Sequence, residues 1–214
     1  MNITVINREK YDAVWATPLS GYGHLADEQP LPYIHMNGVE KTPRFGGEFI
    51  SKKHIPLPMG VLKSNWPLKQ RIFNLFRKRV NIYWREVFSS FSRADKYFYF
   101  YEQCRYKNTE NGFLGSSPII QFERSFFFEE DTILVKDHLA FKEKIEFHNL
   151  LIAQYCMSSG SDIAIKSTRQ PNFVLDFKSS TGSSKIFGTQ LNNVVFYPGD
   201  EIEWQIHYHL PTSL

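Results

Sequence analysis

The stretch SPIIQFERSFFFEEDTILVKDHLAF, residues 117–141, decides the fold. It reads as a β-hairpin whose turn centres on Glu130-Asp131. Folding the arms about that point sets Phe128 opposite Ile133, Phe126 opposite Val135, Phe122 opposite Leu139 and Ile120 opposite Phe141. Side chains alternate along a strand, so all of these share one face. One polar pair interrupts the apolar ladder, because Arg124 falls opposite Asp137. A slip of one residue would turn the whole set to solvent, so the register is strongly specified.

Working outward, the same grammar recurs. Residues 3–16, ITVINREKYDAVWA, read as an edge strand or two. Pro30 and Pro32 bracket the short strand in PYIHMNGVE, and Asn37-Gly38 is the strongest hairpin signal in the chain. After Arg93, KYFYFYEQCRY reads as a strand with phenylalanines on its core face and tyrosines, Tyr99 among them, on a wet face or groove. EKIEFHNLLIAQYC, SDIAIKS, PNFVLDFKSS, SKIFGTQ and EIEWQIHYHL follow as strands parted by Gly, Ser, Pro and Asn turns. The expected fold is therefore mainly β, with stacked antiparallel sheets of the sandwich type in a single domain over 1–214. A composition of 42% hydrophobic residues with 19 Phe and 11 Tyr supports a sizeable core and excludes a disordered chain.

One segment breaks the pattern. In 63–88, KSNWPLKQRIFNLFRKRVNIYWREVF, the residues Phe73, Phe76, Val80, Tyr83 and Val87 recur at steps of three and four. Pro67 suits a first helical turn. The spacing predicts a basic amphipathic helix from about Leu68 to Arg79, with seven basic residues across the segment against the single acid Glu86. Such a helix covers a sheet, meets an acidic polysaccharide, or makes the chain a non-catalytic interaction module held to a membrane surface or a partner protein. A net charge of only +3 gives no overall field for nucleic acid, so no nucleic-acid partner is expected. No apolar run is long enough to span a membrane as a helix. Cys104 and Cys156 are too few for a disulfide framework and read as buried thiols. The N-terminus carries no signal-peptide pattern, which points to the cytoplasm if Met1 is the native start.

The stretch 21–47, GYGHLADEQPLPYIHMNGVEKTPRFGG, resembles the opening of the C-terminal β domain of the heparinase II/III family of polysaccharide lyases. That family shows a Gly-His-x-His-x-Asp-like run, a strand, an Asn-Gly turn and an Asp-x-Gly element. Gly21, His24, Asp27, Asn37, Gly38 and Gly46 echo these in order. The hairpin arms and the Pro198-Gly199 turn before EIEWQIHYHL look like the same family. The departures are specific. Tyr22 stands where the family has its first His, one extra residue parts His24 from Asp27, and Arg44-Phe45-Gly46 replaces the ligating Asp before the glycine. The helical toroid that forms most of the family's glycan cleft has no counterpart in these residues.

The resemblance implies a β domain acting on or binding acidic, uronate-containing glycan, as part of or derived from a larger lyase. The implied partners are an acidic polysaccharide or a missing helical domain, and the compartment is then periplasmic or secreted. Uronate elimination abstracts the proton beside a carboxylate. It needs a Tyr or His base and a cation for the enolate-like charge. Tyr22 and His24 are the candidate catalytic residues, and Arg44, His35 and Tyr99 the candidate substrate contacts. His24 and Asp27 are the candidate ligands of a zinc or calcium ion, although the sequence requires neither. His35, on an apolar strand, reads first as a core histidine. His207 and His209 share one strand face at a usable ligand spacing, without a third ligand beside them.

Overall fold

Rows of opposed apolar residues build the molecule. The computed structural model describes residues 3–16, 33–41, 59–63, 97–100, 105–117, 120–158, 160–179 and 182–211. The described elements are fifteen strands: β1 (Ile3–Asn7), β2 (Asp12–Ala16), β3 (Tyr33–Met36), β4 (Val39–Glu40), β5 (Met59–Lys63), β6 (Tyr97–Phe100), β7 (Arg105–Thr109), β8 (Gly112–Ser116), β9 (Ile120–Phe128), β10 (Thr132–Phe141), β11 (Ile145–Ser158), β12 (Ala164–Ser167), β13 (Phe173–Ser179), β14 (Gly182–Phe196) and β15 (Glu201–His209). They pair antiparallel in three sheets. One has the order β1-β2-β3-β4, a second β12-β15-β10-β9-β8-β7, and a third β13-β14-β11-β5-β6. No helix occurs among the described residues.

The β9–β10 hairpin stands in the middle of the six-stranded sheet. Every pairing expected from the sequence is present: Phe128 with Ile133, Phe126 with Val135, Arg124 with Asp137, Phe122 with Leu139 and Ile120 with Phe141. β15 continues the rows, setting Trp204 beside Asp137, Ile206 beside Val135 and Tyr208 beside Ile133. The apolar members of these rows are buried or packed on one common core.

Both other sheets rest on this inner face. From the four-stranded sheet, Trp15 stacks on Phe126 with ring centroids 5.1 Å apart. From the five-stranded sheet, Phe196 stacks on Phe141 at 4.1 Å, and Phe147 meets Phe141 edge-on at 6.2 Å. Each such aromatic pair contributes roughly 0.5–1.5 kcal/mol beyond its buried area. The four-stranded sheet is also tied to the hairpin tip. Tyr11 donates its hydroxyl to the Glu129 carbonyl at 2.7 Å, and Lys10 Nζ lies 2.6 Å from Asp131 Oδ1. Lys41 reaches Asp162 at 2.9 Å.

Turn chemistry places the strand ends. Asn37 and Gly38 both take positive φ, 51° and 75°, as the two-residue turn between β3 and β4 requires. Before β15, Pro198 is followed by Gly199 at φ 92°, and the Asp200 amide closes that turn on the Tyr197 carbonyl at 3.0 Å. Three readings from the sequence change. KYFYFYEQCRY contributes to two sheets, through β6 and β7. The segment read as SKIFGTQ continues to Phe196, since β14 spans Gly182–Phe196. Lys63, counted with the basic segment, closes strand β5. The rest of 64–88, including the expected helix, lies outside the described residues.

Candidate functional site

Two polar rows distinguish themselves by their surroundings, one sealed and one open. The sealed row is Phe113, Arg124, Asp137 and Trp204 across β8, β9, β10 and β15. Arg124 grips Asp137 with two parallel bonds, Nε to Oδ1 at 2.7 Å and Nη2 to Oδ2 at 2.8 Å. The guanidinium lies 5.3 Å from the Phe122 ring centre and 5.9 Å from that of Phe113. The two side chains are 0% and 1% exposed, so no ligand reaches them. Below them, burial pushes the Tyr208 phenol and the Cys156 thiol up, which keeps both protonated and poorly reactive.

The open row lies on the outer face of the four-stranded sheet. Strand register sets Asn7, Asp12, His35 and Glu40 side by side across β1, β2, β3 and β4. Alternation explains the arrangement, because Ala13, Trp15, Ile34 and Met36 on the same strands are buried on the opposite face. His35 Nδ1 lies 3.8 Å from Asp12 Oδ2, with the two side chains 32% and 47% exposed. That distance is an electrostatic contact rather than a hydrogen bond. The Tyr33 ring runs parallel to the imidazole, 6.1 Å centre to centre. An imidazole beside a carboxylate and an aromatic ring, partly open to solvent, can exchange hydrogen bonds with a polar ligand.

His35 is therefore not the core histidine its apolar strand suggested. The strand is apolar because Ile34 and Met36 face inward, and His35 alternates with them. Of the other residues expected at the site, Tyr22, His24, Asp27 and Arg44 lie outside the described residues. The Tyr99 backbone is in β6, paired with Val61 of β5, and its side chain is outside what is described. The chain connects them to the row all the same. The segment 17–32, with Tyr22, His24 and Asp27, joins Ala16 to Tyr33, and the segment with Arg44 follows Lys41. Asp12 is the residue that the sequence did not disclose, because its pairing with His35 spans a long connection and no local pattern marks it.

The outer face of the six-stranded sheet carries further imidazoles. His207 and His209 stack at 6.1 Å on β15, and His138 on β10 contacts Glu201 at 3.1 Å. Among the described residues no group of three or more His, Cys, Asp or Glu side chains is placed to hold a metal ion, so His207 and His209 make no zinc site there. No described helix is long and apolar enough to cross a membrane. No protein-family model matches the chain, and no curated protein matches it.

Proposed function

We propose that this chain is a polysaccharide-lyase-type β domain that binds acidic, uronate-containing glycan through the outer face of its four-stranded sheet. The observation that carries this reading is His35, held half-exposed against Asp12 and Tyr33. Its strand follows the segment that bears Tyr22, His24 and Asp27 and ends in the Asn37-Gly38 turn, and the segment with Arg44 follows the paired strand β4. In this reading the imidazole and the Tyr33 hydroxyl bond sugar oxygens, and Arg44 pairs with the uronate carboxylate. Elimination would further need one of Tyr22 and His24 as the base that takes the proton beside the carboxylate and the other as the acid that protonates the glycosidic oxygen as its C–O bond breaks, with Arg44 supplying positive charge to the enolate-like intermediate. His24 and Asp27 would offer zinc a nitrogen and an oxygen ligand, and calcium only the Asp27 oxygens.

Binding and turnover are tested separately. Affinity electrophoresis through gels containing polygalacturonate should retard the protein, and His35→Ala should weaken that retardation. Incubation with uronate glycans, with and without zinc or calcium, reports elimination as ultraviolet absorbance from the unsaturated product. Absence of both retardation and product with every uronate glycan would overturn the reading.

A further inference from the structure

Across β9, β10, β15 and β12 the outer face of the six-stranded sheet is unevenly charged. Toward one end, register sets Glu123, His138 and Glu203 side by side, with Glu201 against His138. Toward the hairpin-tip end, the row across β9, β10, β15 and β12 is Phe127, Leu134, His207 and Lys166. Lys136 stands one row away opposite Gln205, and His209 one row to the other side between Thr132 and Ala164. Lys136 Nζ sits over the Phe127 ring at 4.9 Å, and that ring is 37% exposed. Lys136 and Lys166 are exposed, and His207 and His209 are half-buried. Of the acids at this end, Glu130 and Asp131 face Lys10 and Asp162 faces Lys41, while the exposed Glu129 continues β9 opposite Thr132.

We propose that Lys136, Lys166, His207 and His209, with Phe127, form a surface subsite for an anionic polysaccharide. The inference deepens the glycan reading above and rests on it, but it concerns a different sheet. The positive groups and the exposed ring follow the rows across the strands. Strands lie about 4.8 Å apart, so the row over four of them spans roughly 15 Å, the reach of a short oligosaccharide. A chain laid along the row meets ammonium and imidazole donors for its carboxylates and an aromatic face for its apolar ring surface. Glu123, Glu201 and Glu203 repel an anion laid along the strands, which favours the crosswise path. They also disfavour a nucleic-acid duplex, whose wider array of phosphates would extend onto the acidic end.

The test uses the full chain and polygalacturonate in affinity gels, with neutral dextran and duplex DNA as comparison polymers. Wild type should be retarded by polygalacturonate, less so at high salt, and not by dextran. Lys136→Ala and Lys166→Ala should each weaken binding roughly two- to fivefold, and the double variant should lose most of the retardation. Glu203→Gln should tighten it. Circular dichroism verifies that each variant folds. Should His35→Ala abolish retardation while the lysine double variant retains it, the subsite is wrong and the His35 reading stands. The reverse pattern upholds the subsite and removes the His35 contact. Equal retardation by DNA, or no retardation by any uronate polymer, overturns the subsite.

Discussion

Arg124–Asp137 and His35–Asp12 are the same device in two settings. Each is a cation-forming side chain directly opposite an aspartate on a neighbouring antiparallel strand. The first is bidentate at 2.7 and 2.8 Å with both side chains essentially unexposed. The second is a single 3.8 Å contact with a third to a half of each side chain open. In the sealed pair Nε and Nη2 of Arg124 engage both carboxylate oxygens of Asp137, and desolvation offsets much of the attraction. Its role is to fix register. In the open pair the groups keep bonding capacity for a ligand. The face of the strand, and not the residue types, assigns the role.

The widest separation between the two settings should come from breaking the sealed pair. Asp137→Ala leaves Arg124 as a buried uncompensated cation and should cost about 3–5 kcal/mol. For a domain of this size that lowers Tm by roughly 10 °C or more, read by thermal denaturation. Replacing both partners with apolar residues, Arg124→Met with Asp137→Leu, should recover most of the loss. A Tm for Asp137→Ala equal to wild type would refute the register role. Gly112→Ala attacks the position beside that row, opposite Ser125, through the backbone. A Cβ there would meet the Arg124 carbonyl oxygen at 1.9 Å, well inside contact, so β8 must shift away from β9. The expected cost is about 1–3 kcal/mol, as for overpacking, measured by urea denaturation.

The sealed pair was legible in the sequence and the open one was only half legible, for one physical reason. Arg124 and Asp137 are thirteen residues apart on two arms of one hairpin. Alternation along FERSFFF and TILVKDH together with one turn position determines their pairing. Asn37-Gly38 was legible in the same way, because that dipeptide favours the positive φ that its turn needs. Asp12 and His35 face each other across residues 17–32, and alternation alone does not choose which strands meet. It does fix faces once a neighbour is known. The inward Ile34 and Met36 determine that His35 points out, and the apolar look of the strand concealed this. The outer-face grouping of Lys136, His207 and Lys166 was hidden similarly, since it joins three strands far apart in the chain.

Between the two extremes lies Lys41–Asp162, which ties the four-stranded sheet to the segment before β12 at 2.9 Å with Lys41 largely covered. Lys41→Ala should cost about 0.2–1 kcal/mol, because the Asp162 partner remains open to solvent. The Lys41 hydrogen bond, in the first place, holds the Asp162 carboxyl below its ordinary value of 3.8. A carboxyl lowered by folding contributes stability at pH above its unfolded value and loses it as pH falls through the folded one. The difference between wild type and Lys41→Ala should therefore be full near neutrality and vanish in strong acid, and it should shrink in high salt. A difference independent of both pH and salt would show that Lys41 acts through packing instead.

The smallest effect on stability should come from the open pair itself, and that is what makes it informative. His35→Ala removes one half-exposed ring and a long contact, so Tm should stay within the change produced by about 0.5 kcal/mol. Asp12→Asn keeps the side-chain shape and removes the charge beside the imidazole, with an equally small stability cost. If the row binds glycan, both variants should weaken polygalacturonate retardation while their melting curves overlay wild type. Asp12→Asn should do so less, since the ring that contacts the ligand remains. The opposite outcome, a large fall in Tm with unchanged retardation, would place His35–Asp12 beside Arg124–Asp137 as a structural pair. The contrast between the two settings would then be one of degree of burial alone.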